Sequence, residues 1–145
     1  MRYHKKFRHF KPETLTMTKV MLKDWSACND SRKWIKMQEW TQKASLKYGI
    51  PMPIIIEGSA AGSGYYHLAS NTIHMSKPSV VTVIHEFRHA LQRHNKAKGF
   101  SNLETDVELD ARAWSLSLYY KVAPRSFRRL VEEGKIFHME MADLT

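Results

Sequence analysis

The chain has 145 residues, of which 43% are hydrophobic and 26% charged, with 4 Trp, 6 Tyr and 6 Phe. That size and composition exclude a disordered segment and a pair of full domains, and point to one globular domain with a real core. The formal net charge of +9 is uneven, with 12 Lys+Arg against 4 Asp+Glu in residues 1–50 and 11 against 10 in the rest, and the single Cys28 excludes an internal disulfide framework and a cysteine zinc ribbon.

Taken in chain order, Met1 to Phe10 has charges but no apolar run behind them, so it does not read as a secretory signal. Residues 1–12 read as a basic arm ahead of a single domain over 13–145. Tyr3, Phe7 and Phe10 interleave with its charges, a pattern that reads first as a solvated terminus and second as an arm that follows a phosphate backbone and stacks on bases. No stretch has the uninterrupted apolar length needed to span a bilayer, and with one cysteine the expectation is a soluble, intracellular (cytoplasmic) protein.

Two helices are predicted over 13–27 and 31–48, the second carrying Trp34, Met37, Trp40 or Thr41, Ala44 and Tyr48 at helical spacing before Gly49. From Pro53 the period changes. Ile54-Ile55-Ile56, Tyr65 to Leu68 and Thr72 to Met75 read as short strands, with Ser70-Asn71 turning between the last two. The glycine-rich Gly58 to Gly64 lacks the Lys-Ser or Lys-Thr of a phosphate-binding loop and reads as a connection. After Ser76-Lys77-Pro78, a capping hydroxyl followed by a first-turn proline, a helix is predicted to about Asn95, closed by Gly99, with Val80, Ile84, Phe87 and Leu91 as its apolar stripe. Another runs from about Leu103 to Val122 with Val107, Ala111, Trp114 and Leu118 on one face, and a short one from Arg125 to Glu133.

The chemistry sits in His85-Glu86-Phe87-Arg88-His89. Residues four apart on a helix emerge on one face a turn apart, so the His85 and His89 rings can converge on one metal ion. Glu86, displaced by one position, stands beside such an ion as a general base instead of a ligand. Zinc is the expected metal, and hydrolysis of an unactivated carbonyl bond the expected reaction. A third ligand is required from the following helix, where Asp106, Glu108, Asp110 and the earlier Glu104 are the acidic candidates. Arg88 places an unusual charge inside the motif. His67 and His74 alternate along strand candidates and read as hydrogen-bonded or exposed; Tyr119, Tyr120 and His94, considered for oxyanion stabilisation, read as packing or surface.

Over about residues 64–120 the chain resembles the gluzincin metallopeptidases, in which a glutamate of the next helix completes the site; Glu108-Leu109-Asp110-Ala111-Arg112 matches that pattern at Glu and Ala. The resemblance is closest to small single-domain members, minigluzincin-like and phage- or plasmid-associated peptidases related to repressor-cleaving and SprT-like enzymes. It implies Glu108 as third ligand, a zinc-dependent peptidase acting on a protein or peptide, and an α+β, zincin-like domain. That domain would hold N-terminal helices, a small, mostly antiparallel sheet of about three strands, an active-site helix and a following glutamate helix. Gly64-Tyr65-Tyr66 and Asn71 to Met75 look like the strand pair before the active-site helix, with the edge strand lining the cleft. Arg112 stands where the family commonly has an Asp that orients a ligand histidine, leaving Asp110 or Glu104 for that task. Two other readings remain at this point: a nucleic-acid-associated protein using the basic N-terminal half, and a non-catalytic, metal-stabilised interaction module.

Overall fold

The computed structural model describes residues 10–58, 64–97 and 104–134. Their order is α1 (Pro12–Leu22), α2 (Asp30–Tyr48), β1 (Ile54–Glu57), β2 (Gly64–His67), β3 (Thr72–Met75), α3 (Val80–Arg93), α4 (Glu104–Val122) and α5 (Pro124–Glu132), an α+β arrangement. Most of the basic arm, the centre of the glycine-rich connection and Gly99 lie outside the described residues.

The helices begin and end for local reasons. Pro12 and Pro124 occupy first-turn positions of α1 and α5, where a missing N–H costs nothing. The helix expected to reach residue 27 stops at Leu22, because Asp24 takes a left-handed conformation (φ 57°) and only a single 3-10 turn, Trp25–Ala27, follows. Asn29 caps α2 by accepting from the Arg32 N–H at 2.9 Å, and Gly49 ends it at φ 69°. The cap of α3 is Ser79, whose Oγ accepts from Thr82 N–H at 3.2 Å, and not Ser76. Pro78 precedes the cap instead of opening the first turn, since it holds Lys77 out of the helical region and the helix waits for the next hydroxyl.

The sheet has the order β1-β3-β2. As expected, β2 and β3 form an antiparallel hairpin, with Tyr66 opposite Ile73 and Asn71 at φ 53° in the turn. β1 joins the other side of β3 in parallel, Ile55 aligned with Ile73, so one of the two pairings is parallel. The chain thus passes from one sheet edge to the other before β3 returns between them.

Helix α3 is the hub. Its stripe Val80, Ile84, Phe87 and Leu91 is buried, as are Tyr66, Ile73 and Met75 on the sheet face it covers. Phe87 meets Trp40 of α2 edge-on at 5.1 Å, and Tyr48 meets Trp114 of α4 at 6.4 Å. Trp40 Nε1 donates to Thr18 Oγ1 at 2.9 Å, and Thr14 shares a 2.7 Å hydroxyl contact with Tyr48, fastening α1 to α2. The opposite sheet face, with Ile54 63% and Tyr65 41% exposed, is uncovered among the described residues.

Gly64 controls how closely β2 approaches α3. A Cβ there would lie 2.6 Å from the His74 carbonyl oxygen and 3.0 Å from Thr82 Cγ2. Gly64→Ala is therefore expected to destabilise the protein by about 1–3 kcal/mol through overpacking, read from urea unfolding. A loss below about 0.5 kcal/mol would show that the strand relaxes freely.

Candidate metal centre

The residues of α3 sort by face. His85, Arg88, His89 and Gln92 follow the i, i+3, i+4, i+7 spacing and turn toward α4, while the apolar stripe turns toward the sheet and α2. Glu86 is adjacent to the first histidine and is itself buried.

Helix α4 brings Glu108 to the histidine pair. Its carboxylate lies 3.3 Å from His85 Nε2 and 2.7 Å from His89 Nε2. The two rings stand 5.0 Å apart, nearly perpendicular. One ligand atom from each of the three residues falls within 4.8 Å of the others, so His85, His89 and Glu108 form a group that could hold a metal ion. The donor set, two imidazole nitrogens and one carboxylate, suits zinc and several other divalent transition metals. Glu108 is just over half exposed whereas both histidines are largely covered, so the centre opens to solvent on the α4 side.

Charge organises the group. Hydrogen bonds from His85 and His89 hold the Glu108 carboxyl well below the usual carboxylate range. For His89 burial works to lower the pKa, but the hydrogen bonds to Glu108 and Gln92 and the nearby carboxylates outweigh it and the pKa rises. Glu86 is pushed up, chiefly by burial; its neighbouring histidines and a hydrogen bond from the Tyr66 backbone N–H pull the other way. That contact ties the carboxyl to the edge strand β2.

Behind the histidines lies a network invisible in the five-residue motif. His89 Nδ1 is 2.7 Å from Gln92 Oε1, and Gln92 Nε2 donates to Asp110 Oδ2 at 2.8 Å and to the Val107 carbonyl at 3.0 Å. Asp110 in turn receives Arg88 in a two-pronged contact, 2.8 and 3.0 Å, with both side chains buried. Arg88 is thus neutralised inside the α3–α4 interface, its guanidinium also 5.1 Å from the Trp114 ring centre. Asp110 does support a ligand histidine, through Gln92. Gln92 carried no sequence signal by itself; the i, i+3, i+4, i+7 repeat of polar residues beginning at His85 was its signature.

Other candidates are placed elsewhere. Asp106 is not in the group, Arg112 is exposed, and the Glu104 side chain lies outside the described set. His67 and His74 are hydrogen-bonded on the uncovered sheet face, to Ser70 and Thr72 at 2.7 and 2.9 Å. Tyr119 bonds Ser126, and the Tyr120 ring meets Phe127 at 5.2 Å, so both engage α5. His94 stands at the C-terminal cap of α3 with its Nε2 buried and without a hydrogen-bond partner among the described residues. Comparison with known proteins finds no matching family model, no matching curated protein and no matching solved structure.

In chelator the His89–Glu108 pair has a definite pH signature. Glu108, depressed in the folded protein, contributes stability above the ordinary carboxylate pKa of about 4.3 that is lost as pH falls. His89, raised in the folded protein, contributes stability below the ordinary imidazole pKa of about 6.5 that is lost as pH rises through its higher folded value. The stability difference between wild type and His89→Ala in chelator should therefore peak at about pH 5–6 and shrink on either side. Urea unfolding across pH 3 to 9 checks this, and a difference that keeps growing toward pH 9 would contradict it.

Proposed function

We propose that this chain is a zinc-dependent peptidase of the gluzincin type, cleaving peptide bonds in a protein or peptide substrate. The observation that carries the reading is the convergence of His85 Nε2, His89 Nε2 and the Glu108 carboxylate, with a buried Glu86 beside them. Three protein ligands leave one position of a tetrahedral ion open, the pattern of catalytic rather than structural zinc. Zinc held there supplies a Lewis acid at neutral pH.

The proton transfer and the holding of the substrate fall to residues of the chain. Glu86 accepts a proton and returns it to the leaving amine; its upward-shifted pKa suits a group that must do both near neutrality. The Tyr66 N–H bond keeps that carboxyl oriented from the edge strand. Being at the end of the sheet order, β2 has an edge with no strand paired to it among the described residues, to which an extended peptide can add. The Arg88 charge, paired with Asp110, does not compete for the substrate carbonyl or for the ligands.

Elemental analysis of the purified protein is expected to find about one zinc per chain, lost in His85→Ala and in Glu108→Ala. Glu86→Gln should keep the zinc and lose at least about 10²-fold in hydrolysis, the contribution typical of general acid–base catalysis. The readout for hydrolysis is new peptide termini, found by mass spectrometry in a complex peptide library. Stoichiometric iron in place of zinc, or full hydrolysis by Glu86→Gln, would overturn the proposal.

A further inference from the structure

The hydrogen bonds behind His89 determine which of its two nitrogens faces Glu108. The amide of Gln92 has two ends, and its orientation is decided by its other neighbours. One end lies 2.8 Å from Asp110 Oδ2 and 3.0 Å from the Val107 carbonyl oxygen, two acceptors with nothing to donate. The NH2 group must therefore occupy that end, and Oε1 points at His89 Nδ1, 2.7 Å away. An amide oxygen only accepts, so Nδ1 carries the hydrogen. Nε2, which donates to Glu108 at 2.7 Å, is then the nitrogen that an ion would take by displacing that proton.

The orientation of Asp110 is fixed in the same way one step further out. Arg88 Nε and Nη2 engage its two oxygens at 2.8 and 3.0 Å, and the arginine cannot lose its proton or reverse its polarity. The contacts thus converge on Asp110: Arg88 donates to it from one side, and from the other His89 donates to Gln92, whose amide donates to Asp110.

We propose that Arg88, Asp110 and Gln92 form a relay that locks His89 in the Nδ1–H tautomer and so sets the metal affinity of the centre, with Gln92 the positioning residue in contact with the ligand and Arg88 its anchor. The inference rests on the metal-centre reading above. It gives Arg88, inside the motif, a supporting part in the centre. Both ends of the relay lie on α3, at positions 88 and 92, while its middle lies on α4, so the ligand's tautomer depends on the two helices staying in register.

The test is zinc affinity, measured by chelator competition, for wild type and Gln92→Leu, a change that keeps side-chain bulk and removes the acceptor. The wild type should bind zinc about 10–100-fold more tightly than the variant, the range for loss of a ligand's outer hydrogen-bond partner. The second measurement needs no variant. Nitrogen–proton NMR of the His89 ring in the zinc-loaded wild type should show a protonated Nδ1 and a metal-bound Nε2, and in Gln92→Leu the protected Nδ1–H signal should be lost. Affinities within twofold, or a wild-type His89 bound through Nδ1, would overturn the relay while leaving the centre standing. A wild type that takes up no zinc would overturn the centre, and the relay's purpose with it.

Discussion

Between α3 and α4 an arginine and an aspartate meet almost wholly out of water, Arg88 4% and Asp110 0% exposed. Taking two charges from solvent costs several kcal/mol per ion, and only close geometry with further hydrogen bonds offsets it. Here the offset comes from the two-pronged contact, the Gln92 amide and the Trp114 face. Leaving either charge alone would cost about 3–5 kcal/mol, whereas an exposed pair such as Lys47–Glu13 is screened by solvent and contributes little. This makes the pair a device for register more than for net stability. A slip of one turn, about 5.4 Å, would strand both charges, so α4 can lie against α3 in one position only. Glu108, two residues before Asp110, is placed opposite the histidines by that constraint.

The site occupies one boundary of a helix that is otherwise core. On α3 the apolar stripe bonds the sheet to α2 and the polar stripe bonds α4, with Glu86 at the edge between them. A side chain at such an edge is buried enough for its acidity to shift and near enough to the polar stripe to sense the histidines. Any loosening of the aromatic contacts at Phe87 would therefore reach Glu86 through the shared backbone, although neither Trp40 nor Tyr48 belongs to the group of prospective ligands.

How far the sequence was legible follows from which interactions are periodic. The apolar stripes of α2, α3 and α4 repeat at helical spacing, and their residues are buried almost without exception, since hydrophobic burial acts on every turn. The histidine pair was legible for the same reason, two ligands one turn apart. Glu108 was selected through a likeness to a family; spacing alone left Asp106 and Asp110 open, because both also fall within a turn of it. What stayed hidden was set by single contacts between distant segments. The end of α1 turned on the backbone of Asp24, the parallel docking of β1 on which side of β3 was free, and the role of Gln92 on a partner eighteen residues away. No local pattern encodes these.

The order β1-β3-β2 has a further consequence, for how the protein meets other copies of itself. β1 ends the sheet with three consecutive isoleucines, Ile54 63% and Ile56 40% exposed, and a backbone edge with no strand paired to it among the described residues. Such an edge invites stacking of one chain on the next, the first step toward insoluble assembly. Its extent is checked at both ends: Pro53 cannot donate to an added strand, and Glu57 places a charge at the other terminus. Four residues bounded in this way are short for a growing template, and the polar Thr72 and His74 beside them keep the neighbouring strand from widening it. Edge-to-edge pairing at β1 is thus limited by Pro53 and Glu57, two side chains that have no part in the site.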